Sequence, residues 1–141
     1  MLNEVKLEFK SRLENVVFAR SVLVGFLLNI NVDINIINEL KTVISEGVTN
    51  SIIHGYEEDE EGVVFLNISY DDKNIFIEII DKGIGIENIE AAKEPLFSTK
   101  ENLERAGLGF TLMEVFTDEM IVLSSVNVGT KLYFRKQYNF E

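Results

Sequence analysis

Asp81, Gly83 and Gly85 stand in the segment DKGIGI (Asp81 to Ile86), and a second glycine pair, Gly107 and Gly109, stands downstream in AGLGF (Ala106 to Phe110). Upstream, a stretch of helical pattern carries Glu46, Asn50 and His54. Together these are the parts of an ATP site built without a P-loop. Asp81 ends a strand pattern of Ile75, Ile77 and Ile79, and a carboxylate at the end of a buried strand needs a partner. The 6-amino group of adenine donates a hydrogen bond and suits it, whereas guanine presents an acceptor there and would be refused. Gly83 and Gly85 would let the backbone pass close to the ring. Ile86, Leu108 and Phe110 complete the glycine segments around the nucleotide. At Gly107 and Gly109 the backbone N–H groups, with the N-terminus of the next helix, form a place for phosphate oxygens. A single DxGxG or GxG is commonly only a turn; the order and spacing of the set carry the signal.

On the upstream helix Leu40, Ile44, Val48 and Ile52 share one side, and Glu39, Thr42, Glu46, Asn50 and His54 the other, as residues four apart do. Taken alone, this is an amphipathic helix with a wet face. With the glycine pairs it acquires chemistry. Mg²⁺ is a hard cation that takes few protein ligands when phosphates supply the rest, and the Asn50 amide oxygen suits that role. Glu46, one turn earlier, can serve as general base toward a hydroxyl or water. His54, the only histidine, fits either the site lining or a structural place at the helix end. In EPLFSTK (Glu94 to Lys100), Ser98, Thr99 and Lys100 are candidate phosphate contacts, and Arg105 can add a charge-assisted bond to the terminal phosphate or to a partner. The Thr130 hydroxyl, opening the last strand pattern, is within reach of the base.

The elements that must position these groups follow from periodicity. Val5 to Phe9 alternates as a strand; Ala19, Val22, Leu23, Phe26, Leu27 and Ile30 recur at helical spacing within Glu14 to Ile30; a second helix fits Ile34 to His54. Val63 to Tyr70 and Ile75 to Ile80 form a hairpin turned at Asp71 to Asn74, and Leu108 to Phe116 resumes helical character. Met120 to Ser124 and Lys131 to Phe134 are two further strands. The glycine-punctuated segment before Ala106 is expected to be a long functional loop. The order β-α-α-β-β-loop-α-β-β predicts one α+β domain over residues 1–141, a two-layer sandwich with helices on one face of a mixed, mainly antiparallel sheet.

Composition narrows the classes. The chain has 141 residues, 46% hydrophobic and 26% charged, and no cysteine, which excludes disulfides and thiolate metal sites. A net charge of −11 argues against a nucleic-acid backbone as partner and would steer a basic protein. MLNEVKLEFK has no apolar h-region, and no run is apolar enough to span a membrane, so a cytoplasmic location is expected.

The motifs resemble those of the GHKL, or Bergerat-fold, ATPases. The N box matches Glu46 to His54, the G1 box Asp81 to Ile86, the ATP lid residues 87–106 and the G2 box Gly107 to Phe110. EVKLEF, FAR, LKTVISEGVTNSIIHGYE, EPLFSTK and LERAGLGFTLMEVF further resemble the anti-sigma factors of endospore-forming bacteria that act on sigma factor F. The resemblance implies a homodimer that binds ATP or ADP with Mg²⁺, holds sigma factor F inactive, and phosphorylates a serine of a small anti-anti-sigma factor. It implies that Asn50 holds Mg²⁺, Glu46 is the base and Asp81 reads adenine. Arg20, in the apolar FAR helix, and Arg105 resemble partner-contacting positions. Ala106 departs from the serine expected before GxGF. Two other functions use the same pocket. A histidine-kinase catalytic module would need a phosphoacceptor histidine on a dimerisation helix pair, and the only histidine lies inside the site. A nucleotide-gated binding protein without catalysis would not need Glu46.

Overall fold

Alternation along the strands dictates two layers. In the computed structural model, which describes residues 2–93 and 108–141, the elements are β1 (Asn3–Lys10), α1 (Asn15–Leu27), α2 (Ile34–Asn50), a π-helical turn (Ser51–Gly55), β2 (Val63–Tyr70), β3 (Asn74–Asp81), α3 (Ile89–Lys93), α4 (Leu108–Val115), β4 (Glu119–Ser125) and β5 (Gly129–Gln137). The strands form a five-stranded sheet in the order β1-β2-β3-β5-β4. Each pairing is antiparallel. The expected sheet was mixed and mainly antiparallel; β3 and β4 do run in the same direction, but β5 lies between them, so no parallel pair forms.

Every second residue faces the helices: Val64, Leu66 and Ile68 on β2, Ile75, Ile77 and Ile79 on β3, and Leu132 and Phe134 on β5, all buried. They meet Ala19, Leu23 and Leu27 of α1, Leu40, Val43, Ile44 and Val48 of α2, and Met113 of α4. The other sheet face is polar at its centre, where Lys131 Nζ sits 2.9 Å from Glu78 and the Phe76 ring lies near Tyr133. The site residues therefore belong to the helix-covered side.

Two local features place α2. Asp33 caps its first turn, accepting the Asn35 N–H at 2.7 Å, which satisfies one of the donors a helix start leaves over. Gly47 leaves room for Ile79, since a Cβ there would overlap Ile79 Cδ1. The helix thus lies close on the central strand, which fixes the height of Glu46 and Asn50 above the sheet. The helix expected over Ile34 to His54 is α-helical only to Asn50; Ser51–Gly55 is wound one residue wider, with Tyr56 N–H donating to the Ser51 carbonyl at 2.9 Å. Of the loop expected over residues 87–106, the short helix α3 falls within the described residues, while residues 94–107 lie outside them.

The notch at Gly47 gives a coupled prediction. Ile79→Ala should cost about 2–5 kcal/mol by cavity formation, and Gly47→Ala should destabilise by overpacking. In the double variant the new methyl enters the space vacated by Ile79, so urea midpoints should show a loss smaller than the sum of the two. Strict additivity would mean that the two residues do not share this space.

Candidate active site

The inward rows of three neighbouring strands end in polar residues at one end of the sheet. Ile79, Leu132 and Val122 form the last apolar row, and beyond it come Asp81, Thr130 and Ser124, with Asp81 paired to Thr130 and Thr130 to Ser124 in the sheet register. Asp81 is 3% exposed. Burial pushes its acid above the ordinary 3.8, while the N–H of Gly83, at 3.0 Å, the Ser51 hydroxyl and the Thr130 N–H stabilise the carboxylate and oppose that shift. The Ser124 hydroxyl accepts the Ile86 N–H at 2.7 Å and lies 2.8 Å from Thr130 Oγ1.

The π-helical turn closes the other side of Asp81. Widened turns of this kind concentrate at functional sites, and here the turn presents Ser51 and Gly55 to the carboxylate. A Cβ on Gly55 would lie 2.8 Å from the Asp81 carboxylate oxygens. The segment after Asp81 is stitched on both sides: Ile84 N–H donates to the Gly55 carbonyl at 2.9 Å, and Asn127 N–H to the Ile84 carbonyl at 2.7 Å. Gly83 packs on the Gly55 carbonyl and Gly85, at φ +76°, on the Ser125 carbonyl. The close approach that requires glycine at these two positions is therefore to the protein's own backbone.

Beside this row opens a cavity of about 1010 Å³, at the upper end of the size range of small-molecule sites. Glu46, Asn50 and His54 line one wall, Gly85 and Ile86 another, and Gly109 and Phe110 of α4 a third. A Cβ on Gly109 would stand 2.9 Å from Glu46 Oε2, so Gly109 lies directly against the candidate base. Asp81 and Thr130 are buried behind the lining at this end. Leu108 opens α4. Ser98, Thr99, Lys100, Arg105, Ala106 and Gly107 lie outside the described residues. Arg20 is not part of the cavity: its guanidinium donates to Ser45 Oγ at 3.0 Å, and it lines a smaller cleft between α1 and α2 with Lys41. Ser51, Asn88, Ser124 and Asn127 touch Asp81 or the cavity and escape a motif-based reading. A polar residue at inward parity, as at Ser124, was the available signal.

The chain matches the family model of the histidine kinase-like ATPase domain over residues 9–136. It is 47% identical to the anti-sigma F factor of Geobacillus thermodenitrificans, with 96% of this chain and 93% of that one aligned. It is also 47% identical to the anti-sigma F factor of Clostridium beijerinckii, over 97% and 96% of the two chains. The chain belongs to the anti-sigma F factor family. The fold agrees with a crystal structure of the RsbU and RsbW domains of a Mycobacterium tuberculosis protein, at a TM-score of 0.69 and 18% identity, over 96% of this chain and 32% of that one. The burial of Asp81 has a sign. A carboxylate whose folded-state pKa is raised favours the fold most below 3.8 and loses that advantage as pH rises through the raised value. Relative to Asp81→Asn, the parent chain should therefore lose stability between pH 3 and 7, followed by chemical denaturation. A difference that stays flat or grows in favour of the parent would show that the donors around the carboxylate outweigh its desolvation.

Proposed function

We propose that this chain is an anti-sigma factor that binds and inhibits sporulation sigma factor F and uses Mg-ATP to phosphorylate a serine of an anti-anti-sigma factor. The observation that carries this reading is the convergence on one cavity of Glu46, Asn50 and the Asp81 end of the sheet, in a chain closely similar to anti-sigma F factors. In this reading the base of ATP lies toward Asp81 and Thr130, and the phosphates toward Gly107, Gly109 and the start of α4. Asn50 would hold Mg²⁺, whose remaining ligands are phosphate oxygens and water. Ser98, Thr99, Lys100 and Arg105 would contact the phosphates. His54 would complete the wall.

The reaction is an in-line transfer. The oxygen of the substrate serine bonds to the γ-phosphorus, the bond to the β–γ bridging oxygen breaks, and ADP leaves. Glu46 accepts the serine proton. ATP and ADP would stabilise different arrangements around the site, so that the nucleotide selects between sigma factor and anti-anti-sigma factor. Arg20 and Arg105 would contact these partners. Val17 and Phe18 leave the outer side of α1 apolar, at 57% and 49% exposed, which fits a homodimer formed through that helix. Nothing in this activity calls for nucleic acid or a membrane, and it belongs in the cytoplasm. Among the described residues no helix is long and apolar enough to cross a membrane.

Reconstitution with purified sigma factor F and anti-anti-sigma factor tests the proposal. Sigma factor should be retained in Mg-ATP, and phosphoserine should appear on the second protein. Glu46→Ala should slow transfer by roughly 10²–10⁴-fold while ATP still binds. Transfer at the parent rate would exclude Glu46 as the base. Asn50→Ala should weaken Mg-ATP binding much more than binding of metal-free ATP; equal losses would remove Asn50 from the metal.

A further inference from the structure

Ser124 Oγ makes three contacts, to Ile86 N at 2.7 Å, to the Gly129 carbonyl oxygen at 3.0 Å and to Thr130 Oγ1 at 2.8 Å. A serine hydroxyl has one proton and two lone pairs. The Ile86 N–H can only donate, so it takes one lone pair. The Gly129 carbonyl can only accept, so it takes the proton; otherwise two oxygens would face each other at 3.0 Å with no hydrogen between them. One lone pair remains for Thr130, whose hydroxyl must therefore be the donor.

This assignment has a consequence for Thr130. With its proton committed to Ser124, Thr130 Oγ1 turns only lone pairs toward the rest of its surroundings. Its register partner on the other side is Asp81, whose carboxylate also only accepts when ionised. Ser124 itself lines the cavity. We propose that Ser124 is a positioning residue that fixes Thr130 as a hydrogen-bond acceptor, so that the base end of the cavity admits a 6-amino purine and refuses a 6-oxo purine.

The inference rests on the reading that Asp81 and Thr130 receive the base of ATP, and it differs from that reading in what it demands of Ser124. Discrimination is then shared between a carboxylate and a hydroxyl whose polarity is set one strand away. The same oxygen also anchors Ile86, so removing it loosens the glycine segment as well. Absolute affinity reports both effects. The ratio of affinities for two bases reports the polarity alone.

Equilibrium titration of the full chain with ATP and with inosine triphosphate separates these effects. The parent chain should prefer ATP. In Ser124→Ala the Thr130 hydroxyl is free to turn its proton toward a 6-oxo group, and the preference should fall by about tenfold, one hydrogen bond's worth. Ser124→Thr keeps the hydroxyl and should keep the preference. Adding Ser124→Ala to Thr130→Val should leave the ratio unchanged, because no hydroxyl remains to redirect. An unaltered ratio in Ser124→Ala, whether or not both affinities fall, overturns the inference and leaves the reading of the cavity as an ATP site in place. A parent chain that binds neither nucleotide overturns the functional reading itself, and the inference with it. Should the alanine variant fail to fold by circular dichroism, Ser124→Cys supplies the same comparison, with a weak thiol donor of similar shape.

Discussion

A buried carboxylate with no cation beside it among the described residues is the constraint around which this molecule is arranged. Asp81 sits at inward parity on the central strand β3, where the preceding residues Ile79, Ile77 and Ile75 all enter the core. Removing a charge from water there costs several kcal/mol unless donors replace the lost hydration. The fold supplies three of them from three different elements: Gly83 beyond the strand, Ser51 in the π-helical turn and Thr130 on β5. The widened turn, the glycine segment and the strand order β3-β5 are thus tied to one another through a single side chain.

The glycines follow from the same demand for close approach. Gly55 must come near enough for the turn to cover Asp81, Gly83 must pack on Gly55, and Gly129, at φ +139°, must pack on the Asp81 carbonyl. A side chain at Gly83 or Gly129 would push apart backbone segments, and one at Gly55 would collide with the Asp81 carboxylate itself. Positive φ at Gly85 and Gly129 reinforces the requirement, because L side chains rarely adopt it. Gly109 is of another kind: its missing side chain leaves space for Glu46 itself. Gly55, Gly83 and Gly129 hold the scaffold around Asp81, and Gly109 leaves Glu46 its place beside the cavity.

Much of this was legible in the sequence, and the reasons differ by residue. The hairpin Val63 to Ile80 was readable because apolar residues recur two apart in each run, Leu66 and Ile68, then Ile75, Ile77 and Ile79, around a polar turn. Asp81 announced itself by breaking such an alternation at inward parity, and Glu46 and Asn50 by helical spacing. The π-helical turn was not legible, since SIIHG has no composition that distinguishes it from another helical turn. Nor was the partner of the Gly83 and Gly85 backbone, because a glycine pattern shows that something approaches and not what. Ser124 obeyed the same parity rule as Asp81 but lay in a strand with no glycine motif to draw attention to it, and its meaning appears only once β4 is set beside β5.

The charge of the cavity decides how a nucleotide would be held. Its described lining carries Glu46, Glu87 and Glu90 and neither Lys nor Arg, in a chain of net charge −11. A triphosphate entering such a cavity alone would meet repulsion of several kcal/mol at an effective dielectric near 20. Under the proposed function that repulsion is offset by Mg²⁺ at Asn50, by the N-terminus of α4 and by Lys100 and Arg105, whose positions in the chain lie just before that helix. Under the same reading the base end would need no such help, since Asp81 and Thr130 would recognise a neutral ring through acceptors. Recognition of the base and neutralisation of the phosphates would then be separate tasks, the first carried by the sheet and the second by a metal ion. Under this reading a nucleoside without phosphates should bind equally well with and without metal, whereas the triphosphate should bind much more weakly without it.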